Sequence, residues 1–227
     1  MTTPDDLLEQ LRQIVGTSNV LTEGDLTELL GIDPARQLVI ARTLARYGEA
    51  NRSYHDTAHV LAVTSRCLVL CSEMPKVDRD AVLWAALFHD AIYDPRSSTN
   101  EADSAALAAE ELQSVGADVT VVDEVARLVL LTAGHAVADG DSNGAVLVDS
   151  DLAVLGATAE EYGRYVDGVR REYAFVTDDA WSVGRARVLT RLLAVPRLFS
   201  TEPMKPREVM ARDNMRAELL SLTGEKG

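Results

Sequence analysis

The sequence is poor in the residues that build disulfide-rich, membrane-spanning or nucleic-acid-binding proteins. Its 227 residues include only two cysteines, Cys67 and Cys71, so neither a disulfide framework nor a thiolate zinc site is expected. No uncharged apolar run approaches the roughly 18 residues that a membrane helix requires. Basic residues number 22 against 36 acidic ones, and the net charge of −14 disfavours nonspecific binding to nucleic acid or to an anionic membrane.

The remaining composition is that of an ordinary globular protein, with 47% hydrophobic and 26% charged residues. The first residues lack the basic and apolar regions of a signal peptide, so a cytoplasmic location is expected. The length favours one large domain and leaves a homodimer open.

Helical patterns run through nearly the whole sequence, and the strand–helix alternation of a doubly wound sheet is lacking. Asp78 begins a helix whose residues 81–88 are apolar on all sides, which is typical of a central buried helix. Ser98 and Glu101 have the spacing of a capping box, and the run of residues 146–148 is compatible with a short strand. The predicted fold is all-α, with helices at about 3–16, 22–30, 34–47, 54–72, 78–90, 98–115, 120–133, 158–173, 178–194 and 206–222.

Histidine is also scarce, and its few positions are informative. The sequence has four histidines, at positions 55, 59, 89 and 135. His55 and His59 are four residues apart, which predicts that they share one face of a helix. His89 is followed at once by Asp90, and a carboxylate after an apolar run is costly unless a cation or another group pairs it.

Carboxylates also follow a second apolar run, at Asp149 and Asp151. Imidazole and carboxylate together suit divalent cations, namely Mn, Mg, Fe, Zn, Co or Ni. A mixed site of this kind can lower the pKa of a bound water and polarise a phosphoryl oxygen. Each residue alone is equally compatible with a hydrogen-bonded core or surface position, so the joint arrangement carries the hypothesis.

Several segments resemble one known family, the HD superfamily of metal-dependent phosphohydrolases. They are residues 52–60 (RSYHDTAHV), residues 87–94 (LFHDAIYD), and Asn100, Glu101 and Ser104. More narrowly, the chain is similar to a bacterial subgroup of predicted metal-dependent HD phosphohydrolases, whose later blocks match residues 149–156, 171–173, 184–185 and 211–214. The resemblance runs from about residue 51 to residue 222.

The resemblance implies a helical bundle with a metal-site core at about 51–156 and flanking helices at 1–50 and 157–227. The family pattern of His, His-Asp and a final Asp makes His59, His89 and Asp90 metal ligands. The last ligand is Asp151 or Asp149, and Asp151 is favoured because Leu-Ala follows it directly. The aspartate that is not a ligand would then cap a helix.

The resemblance also implies roles around the metal. Asp90, His55 and Asp94 are the candidate catalytic residues. Candidates for substrate binding are Arg52, Arg96, Arg185, Asn100 and Glu101, because guanidinium groups suit phosphate oxygens and the other two lie beside the motif. Surface ion pairs and turn or cap chemistry are the alternative interpretations of these residues. His135 is either a ligand of a second metal or a histidine at the C-terminus of a helix.

The leading functional prediction is a metal-dependent hydrolase that acts on a small phosphorylated molecule such as a nucleotide. One alternative is an HD-fold di-iron oxygenase, for which His55 and His135 would supply additional ligands. The other is a nonenzymatic helical module whose metal is structural or sensory.

Overall fold

The computed structural model describes residues 34–224; the helices predicted at about 3–16 and 22–30 lie outside this range. Within it the chain forms nine α-helices and two 3-10 helices, and no strand occurs between residues 34 and 224, which confirms the all-α prediction. The α-helices are α1 (Pro34–Arg46), α2 (Thr57–Glu73), α3 (Arg79–Phe88), α4 (Asn100–Ser114), α5 (Val119–Leu131), α6 (Ser142–Asp151), α7 (Ala159–Glu172), α8 (Asp178–Ala194) and α9 (Glu208–Thr223); the 3-10 helices are Leu152–Gly156 and Lys205–Arg207.

The described residues belong to two compact units, the first ending at Ser150 and the second beginning at Asp151. The boundary falls inside the last turn of α6, so Asp151 continues a helix of the first unit. The single-domain organisation stays a prediction. No helix between residues 34 and 224 is both long and apolar enough to cross a membrane.

Helix α3 forms the centre of the first unit. Its N-cap Asp78 accepts the backbone N–H of Ala81 at 3.1 Å, as the sequence predicted. Residues 81–88 are all buried, and the helix packs against α2, α5, α4 and α1. An apolar surface on every side is stable only with neighbours all round, and this position supplies them.

In the second unit, α9 packs against α8 and against the first 3-10 helix. Gly156 permits this approach, because a Cβ atom there would lie 2.8 Å from the Cβ of Arg207. Asn214 then donates from Nδ2 to the carbonyls of Leu155 and Ala157, at 2.8 and 2.9 Å. The 3-10 helix that follows Asp151 is therefore fixed by backbone and side-chain contacts of its own unit.

Three local predictions were wrong: the start of α2, the short strand at 146–148 and the capping box of α4. Helix α2 begins at Thr57, because the N-cap carboxylate of Asp56 accepts the backbone N–H groups of Ala58 and His59. His55 therefore lies in the preceding turn, outside the helix that carries His59. The run of residues 146–148 is part of α6, since an apolar stretch buried on all sides does not distinguish a helix from a strand.

The predicted capping box of α4 also does not form. The N-cap residue is Thr99, and no side chain caps the helix there. The hydroxyl of Thr99 instead donates to Asp103 Oδ2 at 2.8 Å.

Candidate metal centre

Two imidazole nitrogens and a carboxylate oxygen meet where α2 begins and α3 ends. His59 lies in the first turn of α2 and His89 directly follows α3. Their Nε2 atoms are 3.1 Å apart. Oδ2 of Asp90 lies 3.2 Å from Nε2 of His89 and 3.6 Å from Nε2 of His59. The structure therefore brings together the first three ligands implied by the sequence.

Asp151, at the end of α6, also lies beside the two histidines. One carboxylate oxygen of Asp151 and one nitrogen from each of His59 and His89 all lie within 4.8 Å of one another. Asp149 is fully buried and precedes Asp151 by two residues, which rotates it about 200° around the helix. The two aspartates therefore face different directions, and Asp151 is the one beside the histidines.

Helix α2 also fixes the end of α6, which explains why Asp151 lies near His59. Nη1 of Arg66 donates to the carbonyl of Ser150 at 3.3 Å. Sγ of Cys67 lies 3.9 Å from the carbonyl oxygen of Val146, one turn earlier. Helix α2 thus both presents His59 and contacts the backbone that presents Asp151.

The tautomer of His89 follows from its second ring nitrogen. Nδ1 lies 2.8 Å from the carbonyl oxygen of Ala86. A carbonyl only accepts hydrogen bonds, so Nδ1 carries a proton, and when the ring is neutral its Nε2 directs a lone pair at the cluster. The 3.1 Å between the Nε2 atoms of His89 and His59 is also the spacing of two ligands in adjacent positions on one cation with bonds of about 2.1 Å. The residues present fit a divalent cation.

The Asp90 carboxyl group is anionic. Burial, the strongest single influence, raises its pKa, but His89, His59 and His55 together lower the pKa well below its usual range. Its side chain remains 16% exposed, so one side of the cluster is open to solvent. An anionic oxygen beside two imidazole nitrogens is a donor set for a borderline or hard divalent metal.

A family model for the HD domain matches residues 57–160. This segment of the chain is similar to an HD domain. The matched range contains His59, His89, Asp90 and Asp151, and the resemblance to the HD superfamily is thereby confirmed over it, whereas the narrower subgroup stays a prediction. No curated protein and no solved structure matches the chain.

His55 lies at the open side of the HD-domain cluster. Its Nε2 is 4.0 Å from Oδ2 of Asp90, and its side chain is 21% exposed. The ring lies against that of Tyr93, with centroids 4.4 Å apart, and meets Tyr54 edge-on at 4.9 Å. This position suits contact with a ligand at the cluster, and the catalytic role of His55 stays a prediction.

The turn after α3, which carries Asp90, is held by side chains from the segment after α1. The hydroxyl of Tyr47 donates to the carbonyl of Leu87 at 2.9 Å and accepts the backbone N–H of Asp90 at 3.2 Å. Nδ2 of Asn51 donates to the carbonyl of Tyr93 at 2.9 Å. Sequence reasoning missed Tyr47 and Asn51, since bonds that span about forty residues leave no local pattern.

Arg52 is buried and donates mainly to backbone. Nη1 donates to the carbonyls of His55 and Asp90, Nη2 to that of Ala91, and Nε to the carboxylate of Glu49. These bonds engage four of the five N–H donors of a guanidinium. The predicted contact of Arg52 with substrate stays a prediction, and its observed contacts are structural.

The next candidates in sequence form a turn before α4. Oδ1 of Asn100 accepts the backbone N–H of Asp94 at 3.0 Å, and its Nδ2 donates to the carbonyl of the same residue at 2.9 Å. Oδ1 of Asp94 accepts the backbone N–H of Arg96 at 2.9 Å, and the residue Arg96 is exposed. Glu101 lies in the first turn of α4. These contacts are turn chemistry, and the catalytic and substrate roles of the four residues stay predictions.

The last two candidates are His135 and Arg185. His135 follows α5 with φ of 54°, the left-handed region, and its backbone N–H donates to Leu131. Arg185, in the second unit, donates from Nε and Nη2 to the two carboxylate oxygens of Glu218 at 2.7 and 3.1 Å. Both side chains of this pair are buried. Substrate binding by Arg185 stays a prediction.

Proposed function

We propose that this HD domain hydrolyses phosphate esters of a small phosphorylated molecule, such as a nucleotide, with a divalent cation held by His59, His89, Asp90 and Asp151. The observation that carries the proposal is the convergence of the His59, His89 and Asp90 ligand atoms within 3.1–3.6 Å, inside the range matched by the HD family. When bound, such a cation supplies a water of lowered pKa and polarises a phosphoryl oxygen.

The chain's own residues prepare this chemistry in two ways. The bond from Nδ1 of His89 to Ala86 fixes the ring and leaves the Nε2 lone pair directed at the cluster. The anionic carboxylate of Asp90 adds negative charge at the same point, which favours a divalent cation over a neutral ligand. The cluster is therefore organised before any cation binds.

His55 is the residue best placed to move a proton beside the cluster. Its Nε2 is 4.0 Å from Oδ2 of Asp90, on the side open to solvent. A leaving-group oxygen or a water that enters between the two residues would be within hydrogen-bonding reach of Nε2. The contact with Tyr93 holds the ring in that orientation.

Phosphate recognition requires local positive charge, because a net charge of −14 repels phosphorylated ligands. Arg96 follows the turn fixed by Asp94 and Asn100 and is exposed. A guanidinium at this position can approach a phosphate with two parallel donors. Arg96 is therefore the proposed phosphate-binding arginine of the first unit.

The test is metal content together with activity on a panel of phosphate esters. The protein is treated with EDTA, reloaded separately with Mn²⁺, Mg²⁺, Fe²⁺, Zn²⁺, Co²⁺ or Ni²⁺, and assayed on nucleoside, sugar and aryl phosphates. Phosphate release that depends on the added metal supports the proposal. A di-iron protein that consumes oxygen, or a metal-loaded protein without phosphate release on any ester, contradicts it.

His135→Asn is the control variant for metal number. Asparagine tolerates the left-handed backbone found at position 135, so the substitution removes the imidazole with little strain. We expect unchanged metal stoichiometry and activity. A loss of half the bound metal would instead assign His135 to a second metal.

A further inference from the structure

We propose that Arg52 is a positioning residue of the metal site: its buried guanidinium ties the turn that carries His55 to the turn that carries Asp90. The inference rests on the proposed metal site and concerns how the chain holds that site in shape. It gives Arg52 a role through the backbone, distinct from direct contact with substrate.

The contacts of the guanidinium join two segments that are distant in sequence. Nη1 lies 3.0 Å from the carbonyl oxygen of His55 and 2.7 Å from that of Asp90, so one nitrogen bridges both turns. Nη2 donates to the carbonyl of Ala91 at 3.0 Å. Residues 55 and 90 therefore cannot separate without breaking a bond to a buried charge.

The surroundings of the guanidinium make those bonds hard to replace. The side chain of Arg52 is 0% exposed, and the rings of Tyr47 and Tyr93 lie 4.9 and 5.5 Å from its central carbon. Within residues 34–224 its carboxylate contact is Glu49, at 3.3 Å, and the side chain of Glu49 is 44% exposed. A buried charge without its acceptors is costly, so the carbonyls and the guanidinium hold one another in place.

The segment bound by Arg52 is also one that no regular structure supports. Helix α3 ends at Phe88, and residues 90 and 91 continue as a turn whose carbonyls have no helical partner. The planar fork of arginine reaches carbonyls on both sides at once, which a lysine ammonium does not. The position of the Asp90 carboxylate therefore depends on the guanidinium group of Arg52.

The experiment compares four variants with the parent by Mn²⁺ titration calorimetry, followed by steady-state kinetics with the best phosphate ester. Arg52→Gln removes the charge, Arg52→Lys keeps the charge without the planar guanidinium, and Arg52→Ala leaves room for added guanidinium. Arg170→Gln is the control, because Arg170 in the second unit also donates to two backbone carbonyls, those of Tyr173 and Val176, and lies 5.4 Å from the ring of Trp181. Thermal unfolding of each metal-free variant measures the structural cost.

We expect Arg52→Gln to weaken Mn²⁺ binding by about 10- to 100-fold, as loss of a residue that orients metal ligands does. The same variant should lower kcat with KM within about twofold of the parent, and Arg52→Lys should lie between the two. Arg170→Gln should lower the unfolding temperature and leave the Mn²⁺ affinity unchanged. Addition of millimolar guanidinium to Arg52→Ala should restore part of the affinity, since it refills the vacated site.

Each contrary result has a defined meaning. Folded Arg52 variants that bind Mn²⁺ as the parent does overturn the inference and leave the proposed function intact. An increase in KM with kcat and Mn²⁺ affinity unchanged also overturns it, in favour of substrate contact. A parent protein that binds no Mn²⁺ or other divalent cation overturns the proposed function first.

If Arg52→Gln and Arg52→Ala fail to fold, Tyr47→Phe provides the deciding measurement. It removes only the hydroxyl that bonds Asp90 N–H and Leu87 carbonyl oxygen, on the same turn. We expect a several-fold weaker Mn²⁺ affinity with a folded protein. An unchanged affinity in Tyr47→Phe and in Arg52→Lys overturns the inference.

Discussion

The two units contain buried polar clusters of opposite character. In the first unit, ring nitrogens of His89 and His59 and a carboxylate oxygen of Asp90 lie within 3.6 Å of one another. In the second, the guanidinium of Arg185 meets the carboxylate of Glu218 through two hydrogen bonds, so donors and acceptors complete each other. The first cluster combines imidazole and carboxylate groups that suit a divalent cation, whereas the second is an ion pair that is complete without one.

The comparison separates residues that bind from residues that stabilise. Arg185 has the sequence features of a phosphate-binding residue, yet its two donor bonds end on a buried carboxylate. The hydroxyl of Tyr162 donates to the same Glu218, and burial, followed by this bond, raises the pKa of Tyr162. Substitutions in the second unit's cluster, whose donors and acceptors are matched, are therefore expected to lower the stability of the protein. Substitutions in the first unit's cluster are expected to abolish metal binding.

The largest expected effect comes from Asp90→Ala, which breaks the first cluster. Loss of the anionic ligand should abolish metal binding and metal-dependent phosphate release, and the helical circular dichroism spectrum should persist because the apolar burial of α3 remains. Metal analysis and turnover are measured on the same preparation.

Asp80→Ala is the control for that variant. Asp80 lies in the first turn of α3 with its side chain 68% exposed, so its removal subtracts the same charge away from the cluster. We expect full metal content and activity. Asp90→Ala protein that keeps stoichiometric metal and normal turnover would refute the assignment of Asp90 as a ligand.

The Arg185–Glu218 pair is tested by Arg185→Met alone and by the double variant that combines Arg185→Met with Glu218→Leu. The single variant leaves a buried carboxylate without its counter-ion and should lower the free energy of unfolding by about 3–5 kcal/mol. The double variant should recover most of that loss, short of the cost of the Tyr162 hydroxyl, which loses its acceptor. Urea unfolding is followed through Trp181, in a Trp84→Phe background that leaves this reporter in the second unit.

A kinetic readout on the same proteins decides whether Arg185 also binds substrate. If its role is structural, the stable double variant keeps the parental kcat/KM. A folded double variant with at least a tenfold loss of kcat/KM would place Arg185 in the substrate site.

A smaller effect is expected for Arg96→Ala, which tests the exposed arginine proposed to bind phosphate. Loss of a charged hydrogen bond to phosphate should weaken transition-state stabilisation by about 1.5–3 kcal/mol, which appears as lower kcat/KM. Metal content should not change, and Arg96→Lys should recover only part of the loss. Arg164→Ala, at a 63% exposed side chain paired with Glu160, is the control; a value for Arg96→Ala within about twofold of this control contradicts the assignment.

Helical periodicity predicted most of the elements because their apolar faces recur at helical spacing. The helices predicted from about 158, 178 and 206 correspond to α7, α8 and α9. The start of α2 was predicted about three residues too early, although Asp56-Thr57 is itself a cap signal. His55 and His59 are close to each other, as their spacing indicated, but only His59 lies in the helix.

The candidate metal ligands could be predicted from the sequence, and the residues that position them could not. A histidine, a His-Asp pair and a later aspartate form a recognisable series, and the structure brings His59, His89 and Asp151 together. The roles of Tyr47, Asn51 and Arg52 depend on single backbone carbonyls and N–H groups about forty residues away. Any backbone group can accept or donate such a bond, so no residue pattern marks it.

The smallest effect compares two helix caps, one at the site and one in the second unit. The carboxylate of Asp56 accepts the N–H groups of Ala58 and His59 at 2.9 and 3.1 Å, and the hydroxyl of Thr158 accepts that of Glu161 at 3.3 Å. Asp56→Ala and Thr158→Ala should each lower the free energy of unfolding by about 1 kcal/mol. Only Asp56→Ala should also weaken Mn²⁺ binding, by a few-fold, because the frayed turn carries His59. Asp56→Asn, which preserves the cap, should restore the affinity; equal Mn²⁺ affinities in Asp56→Ala and Thr158→Ala would show that the first turn of α2 does not limit metal binding.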